Sequence, residues 1–350
     1  MDDMKPASPV IDTVKAYYGR VLKSSADLKT SACCLAETLP PHVAAVLGEV
    51  HAEVRERFYG CGSPIPPALG AATVLDLGCG SGRDCYVLSK LVGPRGRVIG
   101  LDMTDEQLAV ARRHQAFHAE RFGWANTEFR QGYIEDLAAA GIADASVDLV
   151  VSNCVLNLSP DKPRVFREIF RVLKPGGELY FSDVFAGRRI PPALAQDPVL
   201  LGECLGGALY VEDFRRLLAQ VGCQDVRAVS SAPLSLTDPD VQRKIGFVDF
   251  SSKTVRAFKL ALEDRCEDYG QVATYLGTLP EHPHAFVLDD HHRFEAHRPM
   301  RVCGNTADMV SRTRYAGHFR VAGDKARHHG LFDCAPAAAG TGSMAPGACC

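Results

Sequence analysis

The stretch Val74 to Asp84, VLDLGCGSGRD, constrains this chain more than any other. A short apolar run meets three glycines, Gly78, Gly80 and Gly82, and a helical pattern begins straight after them. A strand that ends this way turns tightly and lets a ligand approach its backbone with no Cβ in the way. The spacing is G-x-G-x-G, which differs from the G-x-G-x-x-G that aims a helix N-terminus at a pyrophosphate. Asp76 stands inside the strand end, where its carboxylate can organise the loop and indirectly hold the ammonium of a cofactor.

Around this loop, strand and helix patterns alternate. TVLDLG at 73–78, RVIGLD at 97–102, SVDLVVSN at 146–153 and GELYFSDVF at 177–185 read as strands, with helices over Asp105–Phe122 and Arg164–Leu173. Such alternation implies a parallel sheet covered on both faces. Thr104 with Gln107 three residues on predicts a capping box. Residues 1–70 form a helical lead segment, with apolar helical spacing over Ile11–Leu22 and Ala44–Phe58, closed by the Gly/Pro-rich stretch at 60–70. An insert at 190–210 interrupts the alternation before helix and strand return over 211–229. The nucleotide-fold domain is thus expected over 71–231, a small α+β domain over 232–334, and a low-complexity disordered tail over 335–350.

Bulk properties exclude several classes. With 39 basic and 42 acidic residues and no Lys/Arg run, nucleic acid is an unsuitable partner. No apolar stretch approaches the roughly 20 residues of a membrane helix, and the acidic N-terminus lacks a secretory pattern. A cytoplasmic, monomeric enzyme without a membrane partner is expected. Thirteen cysteines, an odd number, should then be mostly reduced. No pair has C-x-x-C spacing, which argues against structural zinc. The histidines that cluster after residue 282 read as a solvated loop.

Asp102, at the end of the second strand and 20 residues after Gly82, suits a bidentate bond to ribose hydroxyls. Ile134 and Glu135 stand where an adenine can be packed and its amino group read, and Asn153 closes the next strand. In these features, and in LKPGG at 173–177, the chain resembles the class I methyltransferases. The resemblance implies a Rossmann-like sheet, S-adenosylmethionine as cofactor, and Asp76, Gly78, Gly80, Gly82, Arg83, Asp102, Met103, Ile134, Glu135 and Asn153 as its contacts.

The acceptor side offers no His or Glu base at the strand ends. Thiols stand there instead: Cys154 directly after Asn153, Cys204 in the insert, Cys61 before the first strand, and Cys33 and Cys34 in the lead segment. Three converging thiolates select a thiophilic ion, and trivalent arsenic keeps a lone pair that can accept a methyl group without a base. YYGRVLKSSADLKTSACC, VVSNCVLNL, GECLGGALY and RVCGNTADMVSRTRYAGHFRV resemble the arsenite methyltransferases. That resemblance implies arsenite and methylarsenite as substrates, Cys61, Cys154 and Cys204 as the arsenic(III) ligands, and Cys33 or Cys34 in redox turnover. It also implies thioredoxin or glutathione as the reductant. Cys79 reads as a small turn filler, and Cys85 and Cys223 as core. The competing reading is a C- or O-methyltransferase of the quinone or sterol type, which shares the loop and LKPGG.

Overall fold

The structure is a computed structural model and describes residues 11, 14, 15, 39–58, 60, 62–195, 197–202, 204–236 and 238–333. Cys33, Cys34, Cys61, the tail 335–350 and most of the expected helix at 11–22 lie outside the described residues.

Five parallel strands build the centre: β1 (Thr73–Leu77), β2 (Arg97–Asp102), β3 (Thr127–Gln131), β4 (Val147–Asn153) and β5 (Leu173–Ala186). The interior positions of β1, β2, β4 and β5 are mostly apolar and buried, as expected of strands covered on both faces. Two further long strands, β7 (Val226–Pro233) and β8 (Phe250–Phe258), extend the sheet to the order β3-β2-β1-β4-β5-β8-β7. The short β6 (Leu209–Tyr210) also pairs with β5. This is a Rossmann-like α/β sheet, and the chain reverses direction across it between β1 and β4. In such sheets the crevice beyond the strand ends at the reversal is the ligand position.

Helices cover the faces. The lead segment contributes α1 (Pro41–Glu49) and α2 (Ala52–Glu56), split by extended backbone at Val50 and His51 where one helix was expected. Then come α3 (Arg83–Val92), α4 (Asp105–Arg113), α5 (Gln115–Phe122) and α6 (Lys162–Val172). On α6, Val165, Phe166, Ile169, Phe170 and Val172 are buried, a spacing that turns one stripe to the sheet. The capping box at Thr104 does not form; the Thr104 N–H is taken by Asp102 Oδ1 at 2.8 Å. The insert holds α7 (Pro192–Ala195) and α8 (Pro198–Gly202), and α9 (Val211–Gln220) follows β6.

After α10 (Pro239–Ile245), β8 inserts antiparallel between β5 and β7. The expected boundary at 231/232 therefore runs through the main sheet. The remainder is α+β: β9 (Val272–Tyr275), β10 (Ala285–Val287), β11 (Arg293–Glu295), β12 (Pro299–Arg301), α11 (Gly304–Ser311) and β13 (Phe319–Ala322). A buried ion cluster joins it to the sheet, where Glu178 on β5 meets Arg256 of β8 and Arg314. Among the late histidines, His292 is not solvated: it is buried and bonded through Nδ1 to Asp289 at 2.8 Å. Among the described residues no helix is long and apolar enough to cross a membrane.

Candidate active site

The glycine loop after β1 is built from left-handed backbone, with φ of +70°, +52° and +86° at Gly78, Gly80 and Gly82. Only glycine adopts these values without strain. Each glycine also answers a different neighbour. A Cβ at Gly78 would strike Val155 at 2.4 Å, one at Gly82 would lie 2.9 Å from the Phe129 ring, and one at Gly80 would meet nothing within 4 Å. Gly80 thus faces open space, whereas Gly82 is required by the packing of α3.

Asp102 ties this loop down. Its Oδ2 accepts from Gly80 N at 2.8 Å while Oδ1 accepts from Thr104 N. Burial pushes the carboxyl up, and these N–H donors oppose the push. Ser81 Oγ lies 3.0 Å from the carbonyls of Val54 and Arg57, so the same loop anchors the end of α2. Phe58 follows, and the Arg83 guanidinium stacks on its ring at 3.2 Å.

Together these elements enclose a cleft of about 1030 Å³, open mouth included. Of the ten residues expected to contact the cofactor, nine line it: Asp76, Gly78, Gly80, Arg83, Asp102, Met103, Ile134, Glu135 and Asn153. Gly82 does not, for the packing reason just given. Residues passed over in the sequence also line it, among them Ile11, Phe58, Asp84, Tyr133 and Ser159. Asp84 was legible in principle, since an acid in the first turn of a helix that opens on a ligand loop faces that ligand. Phe58 carried no comparable pattern.

The base of the cleft is acidic, and its carboxyls are buried. Burial, reinforced by the nearby Asp84 charge, pushes Asp76 up to about 8, while the Cys85 thiol donates to Asp76 Oδ2 at 3.2 Å and partly offsets it. Asp84 accepts from Asn153 Nδ2 at 3.1 Å and from Arg83 Nε. Two carboxyls facing a desolvated space favour a cationic ligand there, because a positive group relieves both the burial and the mutual repulsion. These carboxyl oxygens, as acceptors, therefore fit the ammonium of S-adenosylmethionine. At the far side Glu135 accepts from the Ser159 hydroxyl in the buried wall.

Cys154 lines the same cleft. Its N–H bonds Ser182 O at 2.8 Å, and the Cys204 thiol donates to its carbonyl at 3.3 Å. Both residues hold left-handed backbone, φ +56° and +61°, which costs a non-glycine residue about 1–3 kcal/mol and gathers at functional sites. Cys204 is buried behind Cys154 and does not line the cleft itself. The turn on either side of residue 61 sits against Asn153: its Nδ2 donates to Gly62 O at 2.9 Å, and a Cβ at Gly60 would lie 2.6 Å from its side chain. The expectation of mostly reduced thiols holds for five of the seven described cysteines, with two exceptions. Cys154 is disulfide-bonded, as is Cys266, while Cys79, Cys85, Cys204, Cys223 and Cys303 remain thiols. Cys79 and Cys85 are buried, and burial raises both thiols, Cys79 to about 11, as befits structural side chains.

A Rossmann-like sheet whose reversal point carries this glycine loop, strand-end acids and a desolvated carboxyl pair defines a class I, S-adenosylmethionine-dependent methyltransferase. A methyltransferase-domain family model matches residues 70–222. The chain is 57% identical to the arsenite methyltransferase of Aquipseudomonas alcaligenes, covering 92% of this chain and 93% of that one. It is 42% identical to the arsenite methyltransferase of Mus musculus, over 90% of this chain and 84% of that one. The crystal structure of an arsenic(III) S-adenosylmethionine methyltransferase from Chlamydomonas reinhardtii superposes with a TM-score of 0.82 at 52% identity, covering 85% of this chain and 100% of that one. The chain belongs to the arsenite methyltransferase family.

Proposed function

We propose that this enzyme methylates trivalent arsenic held by the thiolates of Cys61, Cys154 and Cys204. The observation that carries the reading is the placement of Cys154: it lines the cofactor cleft with the Cys204 thiol against its carbonyl, and no general base is needed between them. Bound S-adenosylmethionine supplies an electrophilic sulfonium methyl group, which the lone pair of thiolate-bound arsenic accepts.

The chain's own part is binding and orientation. Asp76 and Asp84 receive the methionyl ammonium, Asp102 the ribose hydroxyls, and Glu135 with Ile134 the adenine. Met103, Arg83 and Asn153 complete the wall, and Gly78 and Gly80 let the cofactor lie against the backbone. Cys154 and Cys204 hold arsenic at the mouth, where approach along the sulfonium axis requires orientation alone. Methyl transfer raises arsenic formally to the pentavalent state. Two enzyme thiols, one of them Cys33 or Cys34, return two electrons and leave as a disulfide, releasing trivalent methylated product. A thiol reductant, either the dithiol thioredoxin or two molecules of glutathione, then reduces the disulfide and restores the thiols. Cys154 is disulfide-bonded here, so it becomes a ligand only after reduction. The enzyme acts as a monomer in a reducing, cytoplasmic setting.

Incubation of the reduced enzyme with arsenite, labelled S-adenosylmethionine and a thiol reductant should yield labelled methylarsenicals. Cys154→Ser and Cys204→Ser should each abolish product while leaving S-adenosylhomocysteine affinity within about twofold. Full turnover by either variant would overturn the assignment.

A further inference from the structure

We propose that Lys162, acting through Asn157, is a positioning residue that sets the spacing of the Cys154 and Cys204 loops. The starting point is that both cysteines sit in left-handed backbone on separate segments, 50 residues apart, with the Cys204 thiol donating to Cys154 O at 3.3 Å. A thiol hydrogen bond is weak, and two strained loops call for firmer contacts to share in registering them.

A buried polar network lies beneath both loops. Cys154 is followed by the 3₁₀ turn Leu156–Leu158. Within it the buried Asn157 donates from Nδ2 to Asp183 Oδ1 at 2.7 Å and to Val184 O at 2.6 Å, and from its backbone N to Asp183 Oδ2 at 3.2 Å. This pins the Cys154 turn to the end of β5. The Asn157 carbonyl points the other way, at the Cys204 loop: a Cβ at Gly207 would lie 1.9 Å from that oxygen. Only a glycine lets the loop pack so closely, which makes Asn157 the meeting point of the two segments.

Lys162, in the first turn of α6, completes the joint. Its Nζ donates to Asn157 O at 3.1 Å and to Ser159 O at 2.9 Å, and lies 3.4 Å from where a Gly207 Cβ would stand. An ammonium at a helix N-terminus opposes the helix dipole, and burial pushes this one down to about 8 against the charges of Asp183, Glu135 and Cys204. A cation held in so unfavourable a place is held for its contacts. Through Ser159, whose hydroxyl donates to Glu135, the same joint reaches the wall of the cofactor cleft. Lys162 itself does not line that cleft.

The inference rests on the proposed arsenic site, but its first test does not use arsenic. In the full chain, reduced and freed of reductant, a short bifunctional thiol reagent of the dibromobimane kind should link Cys154 to Cys204, read as the cross-linked peptide by mass spectrometry. Lys162→Met should lower that yield about tenfold, the scale of losing hydrogen bonds from a charged donor. Lys162→Arg should restore part of it. Gly207→Ala, which wedges the Cys204 loop off Asn157 without touching the lysine, should give the same loss, and the double variant should be no worse than either alone. If the reading of the substrate is also right, arsenite affinity and kcat fall in step with cross-linking while S-adenosylhomocysteine affinity stays within about twofold. Unchanged cross-linking in Lys162→Met overturns the inference, as does a loss that parallels a loss of S-adenosylhomocysteine binding. Changed cross-linking in a protein whose wild type neither binds nor methylates arsenite would keep the positioning role and overturn the substrate instead.

Discussion

The Cys85 thiol donates to Asp76 Oδ2 at 3.2 Å, bracing from behind the strand-end carboxyl that lines the cofactor cleft. Burial, with the Asp84 charge added, raises that carboxyl from 3.8 to about 8. The folded, ligand-free enzyme therefore holds its proton across neutral pH. Unfolded, the same group ionises near 4, so its contribution to stability is full below that value and is lost as pH rises through about 8. A ligand ammonium reverses the preference, because it stabilises the carboxylate. S-adenosylhomocysteine should accordingly bind several-fold more tightly at pH 8 than at pH 6, and Asp76→Asn should flatten the profile as well as weaken binding. Titration calorimetry at several pH values checks this; an Asp76→Asn profile parallel to wild type would refute it.

Two glycines of one loop should respond differently to the same methyl group. Gly82→Ala forces a side chain into φ +86° and to within 2.9 Å of the Phe129 ring, a combination expected to cost about 2–4 kcal/mol of stability. Gly80→Ala meets open space and pays only for its φ of +52°, about 1–2 kcal/mol. Yet Gly80 lines the cleft and Gly82 does not. Denaturant unfolding should rank Gly82→Ala as the less stable variant, while cofactor affinity at a temperature where both are folded should rank Gly80→Ala as the poorer binder.

Phe58 offers a separate handle on cofactor retention. Its ring carries the Arg83 guanidinium at 3.2 Å, and both residues line the cleft. Phe58→Leu keeps an apolar body but removes the ring face, a loss of about 1–2 kcal/mol for a partly desolvated cation–π pair. KM for S-adenosylmethionine should rise about tenfold, with kcat less affected. An equal fall in kcat at unchanged KM would mean that the pair acts on the transition state instead.

Much of this was written in the sequence, and the gaps have physical causes. The loop from Val74 to Asp84 was legible because a strand that is buried on both faces, three glycines and a helix start all agree. The edge strand β3, TEFRQ, escaped because four of its five residues are polar and only Phe129 is fully buried. The strand β8 escaped for the opposite reason: Ser252, Thr254 and Arg256 are polar yet buried, so no alternation of hydrophobicity marks it. Arg256 tolerates that position because Glu178 waits across the pair β5–β8, a partner no local pattern reveals. Among the site residues, Phe58 and Ser159 reach the cleft from elements whose role depends on tertiary packing, whereas the strand-end acids announce themselves by position.

That hidden pair carries the last prediction. Glu178 and Arg256 are almost fully buried, with Oε1 and Nε 2.9 Å apart. The approach lies off the N–H axis, so the contact is ionic and not a hydrogen bond. Arg314 and the Tyr315 hydroxyl add to the other carboxylate oxygen, and Arg314 also donates to Pro67 O. One carboxylate thus fastens β8, the C-terminal α+β portion and the segment before β1 to the sheet. Glu178→Gln leaves two guanidinium groups without their counter-charge, and should destabilise the chain by about 3–5 kcal/mol. The pair itself need not be stabilising: Glu178→Leu combined with Arg256→Met should recover most of that loss, as apolar replacements of buried ion pairs commonly do. Glu178 lies four residues, roughly 13 Å, before Ser182, which bonds the Cys154 backbone. Cofactor affinity below the unfolding transition should therefore change little in either variant. Urea unfolding decides the matter: a Glu178→Gln protein within about 1 kcal/mol of wild type would show that water or rearrangement neutralises the arginines, and that the C-terminal portion is held by apolar packing alone.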